Sequence, residues 1–128
     1  MSDTEPAARD EVDRYLARLE AETRRVADGE WGLTVDAAGW PLHVGIAVRD
    51  GLLRAQAEVV EPGRIDAGTL LRWNRDLPLV RFSHTGTGAV YAQGDLPLEA
   101  VTPERLDGFL GLLLRVATQA REAAAPAD

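Results

Sequence analysis

The sequence predicts an α+β fold in which helices pack on one twisted antiparallel sheet, with the element order α-β-β-β-α-β-β-α. Apolar and polar residues alternate through residues 42–49 and 53–59, and this period of two is typical of half-buried strands. Asp50-Gly51 joins the two segments, as in hairpins whose mirror-image turn needs positive φ at both central residues. The C-terminal segment instead places apolar residues at helical spacing, which predicts a long final helix.

The N-terminal part predicts a helix followed by a strand. Apolar residues recur at helical spacing over residues 10–27, and Asp28-Gly29 is expected to end the helix because glycine adopts the left-handed cap conformation most easily. Alternation over residues 31–36 then predicts the first strand. Ala38-Gly39 supplies the turn into the second strand, so three antiparallel strands form a meander.

A short amphipathic helix is predicted between Asp66, a capping residue, and Pro78, which cannot continue a helix. Asn74 lies within its apolar stripe, where an amide is tolerated only if its donors and acceptors find partners. The apolar stripe comprises Leu70, Leu71, Trp73 and Leu77, and the opposite face comprises Arg72, Arg75 and Asp76.

Two further strands and a long helix complete the prediction. Residues 80–84 and 90–94 alternate, with a glycine-rich loop between them, and Thr102-Pro103-Glu104 is typical of a helix start. Leu112 and Leu114 make the apolar stripe of the last helix wider than one sheet face needs. The two helix glycines, at positions 108 and 111, indicate a place where another backbone approaches closely.

Length and composition predict one domain. The chain has 128 residues, of which 45% are hydrophobic and 27% charged, as in ordinary globular proteins. We expect a domain over residues 10–121 with flexible termini at residues 1–9 and 122–128. No segment has the length of a membrane span, and the acidic N-terminus is unlike a signal peptide, so we expect a cytoplasmic protein with no membrane partner.

The charge disfavours nucleic-acid partners. The formal net charge is -7, from 21 acids against 14 basic residues, whereas phosphate binding needs a positive surface. A local basic face around Arg72, Arg75 and Arg81 is an open alternative to a solvated helix face with paired charges.

The residue types that usually carry chemistry are absent or scattered. The sequence has no cysteine, no phosphate-binding loop and no nucleophile elbow, and His43 and His84 lie on different predicted strands. The carboxylates fall on helix polar faces, in turns or near the termini, with no two placed on a shared site. We therefore predict no catalytic residue, no cofactor and no metal.

The predicted element order occurs together with a set of short motifs. They are Leu70-Leu71-Arg72-Trp73-Asn74, Leu77-Pro78-Leu79, Arg81-Phe82 and Gly94-Asp95-Leu96-Pro97. In this combination the sequence resembles the YbjN-like family, over about Asp10 to Arg121. The resemblance implies a fold similar to that of the type III secretion chaperones, usually as a homodimer, with no known catalytic residues. Those chaperones hold extended segments of partner proteins on apolar patches, and YbjN-like proteins have been labelled regulators of sensory transduction.

The leading functional hypothesis is a non-enzymatic, dimeric protein-binding module, chaperone-like or regulatory. It is motivated by apolar helix surface flanked by arginines. The alternative is a small-ligand sensor or accessory enzyme subunit with a pocket between the sheet and the last helix. The predicted partner or dimer interface comprises Leu71, Arg72, Trp73, Arg75, Leu112 and Leu114.

Overall fold

Within residues 4–126, the part of the chain that this computed structural model describes, six strands form one antiparallel sheet flanked by three α-helices. A single 3₁₀ turn, Leu98–Ala100, precedes the last helix. The helices are α1 (Thr4–Arg18), α2 (Ala67–Asn74) and α3 (Pro103–Ala123), and the strands are β1 (Glu22–Ala27), β2 (Glu30–Ala37), β3 (Trp40–Arg49), β4 (Leu52–Val60), β5 (Val80–His84) and β6 (Val90–Pro97).

The strands lie in the order β1-β2-β3-β4-β6-β5. The first four form a meander, and β6 pairs with β4, so that β5 becomes the edge strand opposite β1. The connection from β4 to β5 runs through α2, which packs against β5. The predicted α+β class with helices on a twisted antiparallel sheet is confirmed.

The core lies on one face of the sheet. In β4, Leu53, Ala55, Ala57 and Val59 are buried while the residues between them are exposed, and β3 and β6 alternate in the same way. Both α1 and α3 cover this face. We call the uncovered side of the sheet the open face. The largest fully buried side chains are Val12, Leu42, Leu53, Val59, Val60, Val90, Leu106, Phe109 and Leu113.

Local signals in the sequence correctly place several turns and caps. Asp50 and Gly51 have φ of 55° and 76°, as the predicted mirror-image turn requires. The Asp66 side chain accepts from the Thr69 N–H, and the Thr102 hydroxyl accepts from the Arg105 N–H, so both predicted capping residues cap their helices.

The prediction of one helix over residues 10–27 is wrong, because α1 ends at Arg18 and residues 22–27 form β1. Consequently the sheet has one more strand than predicted, and Asp28-Gly29 is a hairpin turn instead of a helix end. β1 is an edge strand whose residues are nearly all exposed, so it carries no apolar alternation that could reveal it. Pairing with β2 overrides the helical preference of the segment.

The element ends also differ from the prediction. Residues 4–9, expected to be flexible, belong to α1, and in the tail after α3 the Ala125 N–H donates to the Arg64 carbonyl. The expectation for residues 1–3 and 127–128 lies outside the described residues. Helix α2 ends at Asn74 and not near Leu77. Within residues 4–126, no backbone from another element approaches Gly108 or Gly111, where an added Cβ would meet open space.

Candidate functional surface

Asn74 joins helix α2 to the free edge of β5 by two hydrogen bonds. Its side-chain amide donates to the Phe82 carbonyl at 3.0 Å, and its carbonyl oxygen accepts from the Phe82 N–H at 2.7 Å. The carboxamide thus pairs with the outward-facing peptide groups as a neighbouring strand would. This is the partner that the sequence requires for a polar residue in the apolar stripe, and it pairs the outward-facing backbone groups of Phe82 at one edge of the sheet.

Next to this junction, Trp73 packs on Phe82 with ring centroids 5.7 Å apart and the planes tilted by 55°, a favourable aromatic arrangement. The two rings form one side of a cleft of about 360 Å³ between α2 and α3. The cleft is mostly apolar, with Asp76 and Gln119 as its polar side chains. Its lining residues are Trp73, Asp76, Leu77, Phe82, Val116, Gln119, Ala120 and Ala123.

Two large apolar side chains are exposed just before and just after the cleft residues Trp73 and Leu77 in the sequence. Leu71 on α2 is 69% exposed, and Leu79 in the connection to β5 is 58% exposed. Leu79 has φ of 60°, and the Val80 N–H donates to the Pro78 carbonyl across it at 2.5 Å. A leucine in the left-handed region is strained by about 1 to 2 kcal/mol. The folded chain is therefore less stable at Leu79, although the Leu79 side chain remains exposed to water.

The structure brings the predicted interface residues only partly together. Leu71, Arg72 and Arg75 lie exposed on α2, and neither arginine forms an ion pair with another described residue. Trp73 is half-buried in the cleft. Leu112 and Leu114 are also half-buried, and at a hundred degrees per residue they point to opposite flanks of α3. Leu112 lies one turn from the cleft residue Val116, whereas Leu114 lies on the flank that carries Asp107.

The suggested basic face around α2 does not include Arg81. Arg81 alternates with Phe82 along β5 and therefore projects from the open face, where its guanidinium contacts Asp95 at 3.2 Å. The open face also carries a shallow hollow of about 500 Å³. Its floor contains Gly45 and Ala47, and charged and amide side chains surround it: Glu30, Arg49, Arg54, Gln56, Arg81, Gln93 and Asp95.

Sequence reasoning missed Arg121, which is only 6% exposed. Its guanidinium donates to the carbonyls of Val59, Ala37, Trp40 and Pro41 at 2.8 to 3.1 Å. It also lies 3.3 Å from the centroid of the Trp40 ring, a cation–π contact. Burial lowers the pKa of Arg121, and the nearby charge of Asp36 opposes that shift. The sequence does contain a signal for the burial of Arg121, because Arg121 is in phase with Leu113 and Ala117 on the buried stripe of α3.

A second polar contact, which is partly buried, links the two long helices. The Tyr15 hydroxyl on α1 donates to Asp107 on α3 at 2.8 Å. Burial, and then the hydrogen bond and charge of Asp107, raise the pKa of Tyr15 to about 12. Nearby, the Trp31 indole N–H donates to Asp13 at 2.7 Å. These contacts hold α1 against the sheet and α3, so we assign them to the fold.

The described residues contain no cluster of three or more histidine, aspartate or glutamate side chains that could hold a metal ion. His43 bonds Thr34 on the open face and His84 bonds the Thr85 carbonyl, on separate strands. None of the helices within residues 4–126 combines the length and the apolarity that a membrane span requires.

Comparison with known proteins identifies the family. The model of the YbjN family, described as "Putative bacterial sensory transduction regulator", matches residues 8–125. The chain belongs to the YbjN family. The match covers nearly the whole chain and includes the α2–β5 junction around Asn74. No curated protein matches the chain in sequence.

Solved structures share the fold of this YbjN-family chain. A chain of the ExsC–ExsE complex has 18% identity and a TM-score of 0.76, with 100% of each chain covered. A chain of the HopA1–SchA chaperone–effector complex has 17% identity and a TM-score of 0.69, covering 93% of this chain and 94% of the other.

A chain of the complex between the Yersinia pestis type III secretion chaperone SycH and a stable fragment of YscM2 matches at 18% identity and a TM-score of 0.59. The match covers 89% of this chain and 97% of the other. At these identities the similarity is one of fold, and it confirms the predicted resemblance to the type III secretion chaperones.

Proposed function

We propose that this YbjN-family protein is a non-enzymatic, dimeric protein-binding module, chaperone-like or regulatory, that uses the outer side of α2 and the cleft beside it as its contact surface. The observation that carries the proposal is the exposure of Leu71 on α2, at 69%. Exposed apolar residues next to arginines are typical of protein interfaces.

The other exposed large apolar residues distinguish this surface from the rest of the molecule. Trp40 lies under the Arg121 guanidinium and therefore has a role in the fold. Val26 lies on β1 and lines the open-face hollow. Leu71 and Leu79 have no comparable contact on the described surface, and Leu79 is held in a strained conformation. Retained strain at an exposed side chain supports a role in recognition.

Dimerisation through α2 also agrees with its composition, an exposed leucine beside two arginines. A two-fold contact places the same patch of each subunit against the other. In such a contact Leu71 would meet its counterpart, and Arg72 and Arg75 would form the rim, where arginine is common. The solved relatives include chaperones bound to protein partners, and this supports protein capture as the role of the assembled module.

The experiment is a matched pair of charge substitutions at exposed apolar positions. We expect Leu71→Glu to convert the dimer to a monomer and to weaken partner capture while the far-ultraviolet circular dichroism stays unchanged. Val26→Glu, at a residue 60% exposed on the opposite edge of the sheet, should leave the dimer intact. Loss of the dimer in the Val26 variant alone would place the interface at β1 and contradict the proposal.

Trp73→Glu separates the surface role from the fold. Trp73 packs on Phe82, so we expect this variant to lower the unfolding midpoint as well as the affinity. Leu71→Glu should lower only the affinity. If both variants unfold equally, the α2 face belongs to the core of the monomer.

The cleft between α2 and α3 favours a second candidate function, a small-ligand sensor or accessory enzyme subunit. Its volume of about 360 Å³ lies at the small end of ligand pockets, and its lining includes Phe82 of the sheet as well as residues of the last helix. A saturable ligand found by a thermal-shift screen would raise the melting temperature by mass action. Ala123→Trp, at the rim of the cleft, should abolish that shift if the ligand occupies it.

A further inference from the structure

The open face of the sheet has glycines in the interiors of two neighbouring strands. Gly32 and Gly45 face each other across β2 and β3, although glycine in a strand interior weakens the strand. A Cβ on Gly45 would meet only the Gln56 carbonyl, at 4.0 Å. Packing therefore does not require glycine at this position. Glycine in a strand often marks a place where a ligand or another backbone comes close.

Arginines surround the floor of the open-face hollow. Arg49, Arg54 and Arg81 line the hollow. Arg24, on the neighbouring strand, lies over Gly32, with its guanidinium carbon 2.8 Å from the position a Cβ would take. The register aligns the row Arg24, Gly32, Gly45, Gln56, Gln93 and Arg81 across all six strands.

The charges in this region are not balanced. Glu30 contacts Arg49 at 2.9 Å, while Asp95 lies between two arginines, 3.2 Å from Arg81 and 3.6 Å from Arg54. Arg24 forms no ion pair with any other described residue. Within the hollow three arginines thus face two carboxylates, and Arg24 beside it adds a fourth positive charge, on a protein whose formal net charge is -7. The other carboxylates on this face of the sheet, Glu22, Asp36 and Glu58, lie outside the lining of the hollow. A positive area on an acidic protein concentrates negatively charged partners there and repels them elsewhere.

We infer that the open-face hollow, with Arg24 beside it, binds an extended acidic segment of a partner protein. The open position at Gly45 lets a peptide backbone lie close to the sheet, the arginines pair with carboxylates, and the Gln56 and Gln93 amides offer hydrogen bonds to peptide groups. Arginine suits carboxylates because its planar guanidinium can form two parallel hydrogen bonds. The inference rests on the proposed function, because it specifies a partner class for a protein-binding module.

Nucleic acid would present a similar charge but fits less well. Single-strand binding surfaces combine arginines with aromatic residues on which bases stack. The residues that line the hollow include one aromatic, Trp31, and it is buried on the other side of the sheet. An oligonucleotide therefore serves as a competing probe in the test.

The test is fluorescence anisotropy with a labelled peptide of alternating glutamate and serine, about twelve residues long, added to the full chain at low salt. We expect saturable binding that weakens as salt is raised, because exposed charges are screened. Arg24→Glu/Arg54→Glu should weaken binding at least tenfold. Arg105→Glu/Arg115→Glu on α3, which changes the charge equally at exposed positions, should weaken it less than twofold.

A steric variant tests the geometry without changing charge. Gly45→Leu keeps every arginine but fills the floor, and we expect it to weaken peptide binding about fivefold with unchanged circular dichroism. Equal binding of this variant and the unmodified chain would show that the peptide does not lie on the sheet, and would overturn the inference.

Three other results would also overturn it. They are an equal loss in the α3 control pair, a larger loss in Arg72→Glu/Arg75→Glu than in the open-face pair, and tighter binding of a single-stranded oligonucleotide of the same charge through Arg24 and Arg54. Absence of peptide binding would reject the acidic partner while leaving the α2 proposal intact, because the dimer is measured independently by its mass.

Discussion

The same strands present one face that is packed under helices and one face that is open to solvent. On β4, Leu53 and Ala55 are buried beneath the helices, whereas Arg54 and Gln56 project into solvent. The contrast extends to arginine itself. Arg121 is buried and donates four hydrogen bonds to backbone carbonyls, while Arg24 on the open face has no ion-pair partner among the described residues. Side chains on the packed face determine stability, so those on the open face are free to determine recognition.

The largest expected effect comes from removing the buried guanidinium. Arg121→Met leaves the carbonyls of Val59, Ala37, Trp40 and Pro41 without their donor, and we expect it to lower the free energy of unfolding by roughly 3 to 5 kcal/mol. Urea unfolding measures it.

Arg115→Met is the control for that prediction, because Arg115 is exposed on the same helix, and its effect should stay within about 0.5 kcal/mol. If the two variants lose the same stability, the buried arginine has no special role and the comparison between the faces fails.

The second effect is a pH dependence. The pKa of Tyr15 is raised from 10.0 to about 12, so between these values the native protein keeps a proton that the unfolded chain has lost. The stabilisation is therefore present below pH 10 and is lost as the pH rises toward 12. At about 1.4 kcal/mol per pKa unit, the loss is at most about 3 kcal/mol.

The chain has no lysine and no cysteine, so the control for this prediction is the second tyrosine, Tyr91. Tyr15→Phe should flatten the decline of unfolding free energy above pH 10. Tyr91→Phe, on the open-face side of β6, should retain the decline. A decline that depends on Tyr91 instead would contradict the assignment.

The smallest of the three effects compares two glycines. A Cβ on Gly94 would lie 2.6 Å from the Leu79 carbonyl oxygen and 2.7 Å from a ring carbon of the buried Phe109. Gly94→Ala should therefore lower stability by roughly 1 to 3 kcal/mol. Gly45→Ala on the open face should change it by less than about 0.5 kcal/mol. The denaturant midpoints of the two variants measure these losses. A larger loss of stability in Gly45→Ala than in Gly94→Ala would contradict the prediction.

These features also show which parts of the structure can be predicted from the sequence and which cannot. The Asp50-Gly51 turn and the Thr102 cap depend on neighbouring residues, so local rules predict them. Asn74 was recognised as a polar residue in an apolar stripe, but its partner, the edge of β5, depends on the fold. Strand β1 was missed because an exposed edge strand has no apolar period.

The candidate surfaces show the same limit. Leu71 and the arginines of α2 are exposed as expected, since a short amphipathic helix directs them away from the core. The separation of Leu112 from Leu114 follows from helix geometry and was overlooked. The open-face hollow brings together residues from all six strands, so only knowledge of the strand order could have revealed it.

The most direct test of the proposed dimer is the mass of the unmodified chain in solution, measured by light scattering across a dilution series. We expect twice the chain mass of 13.9 kDa at low micromolar concentration, falling to a single chain in Leu71→Glu. A monomer at every concentration would contradict the dimeric module and would direct attention to the cleft between α2 and α3.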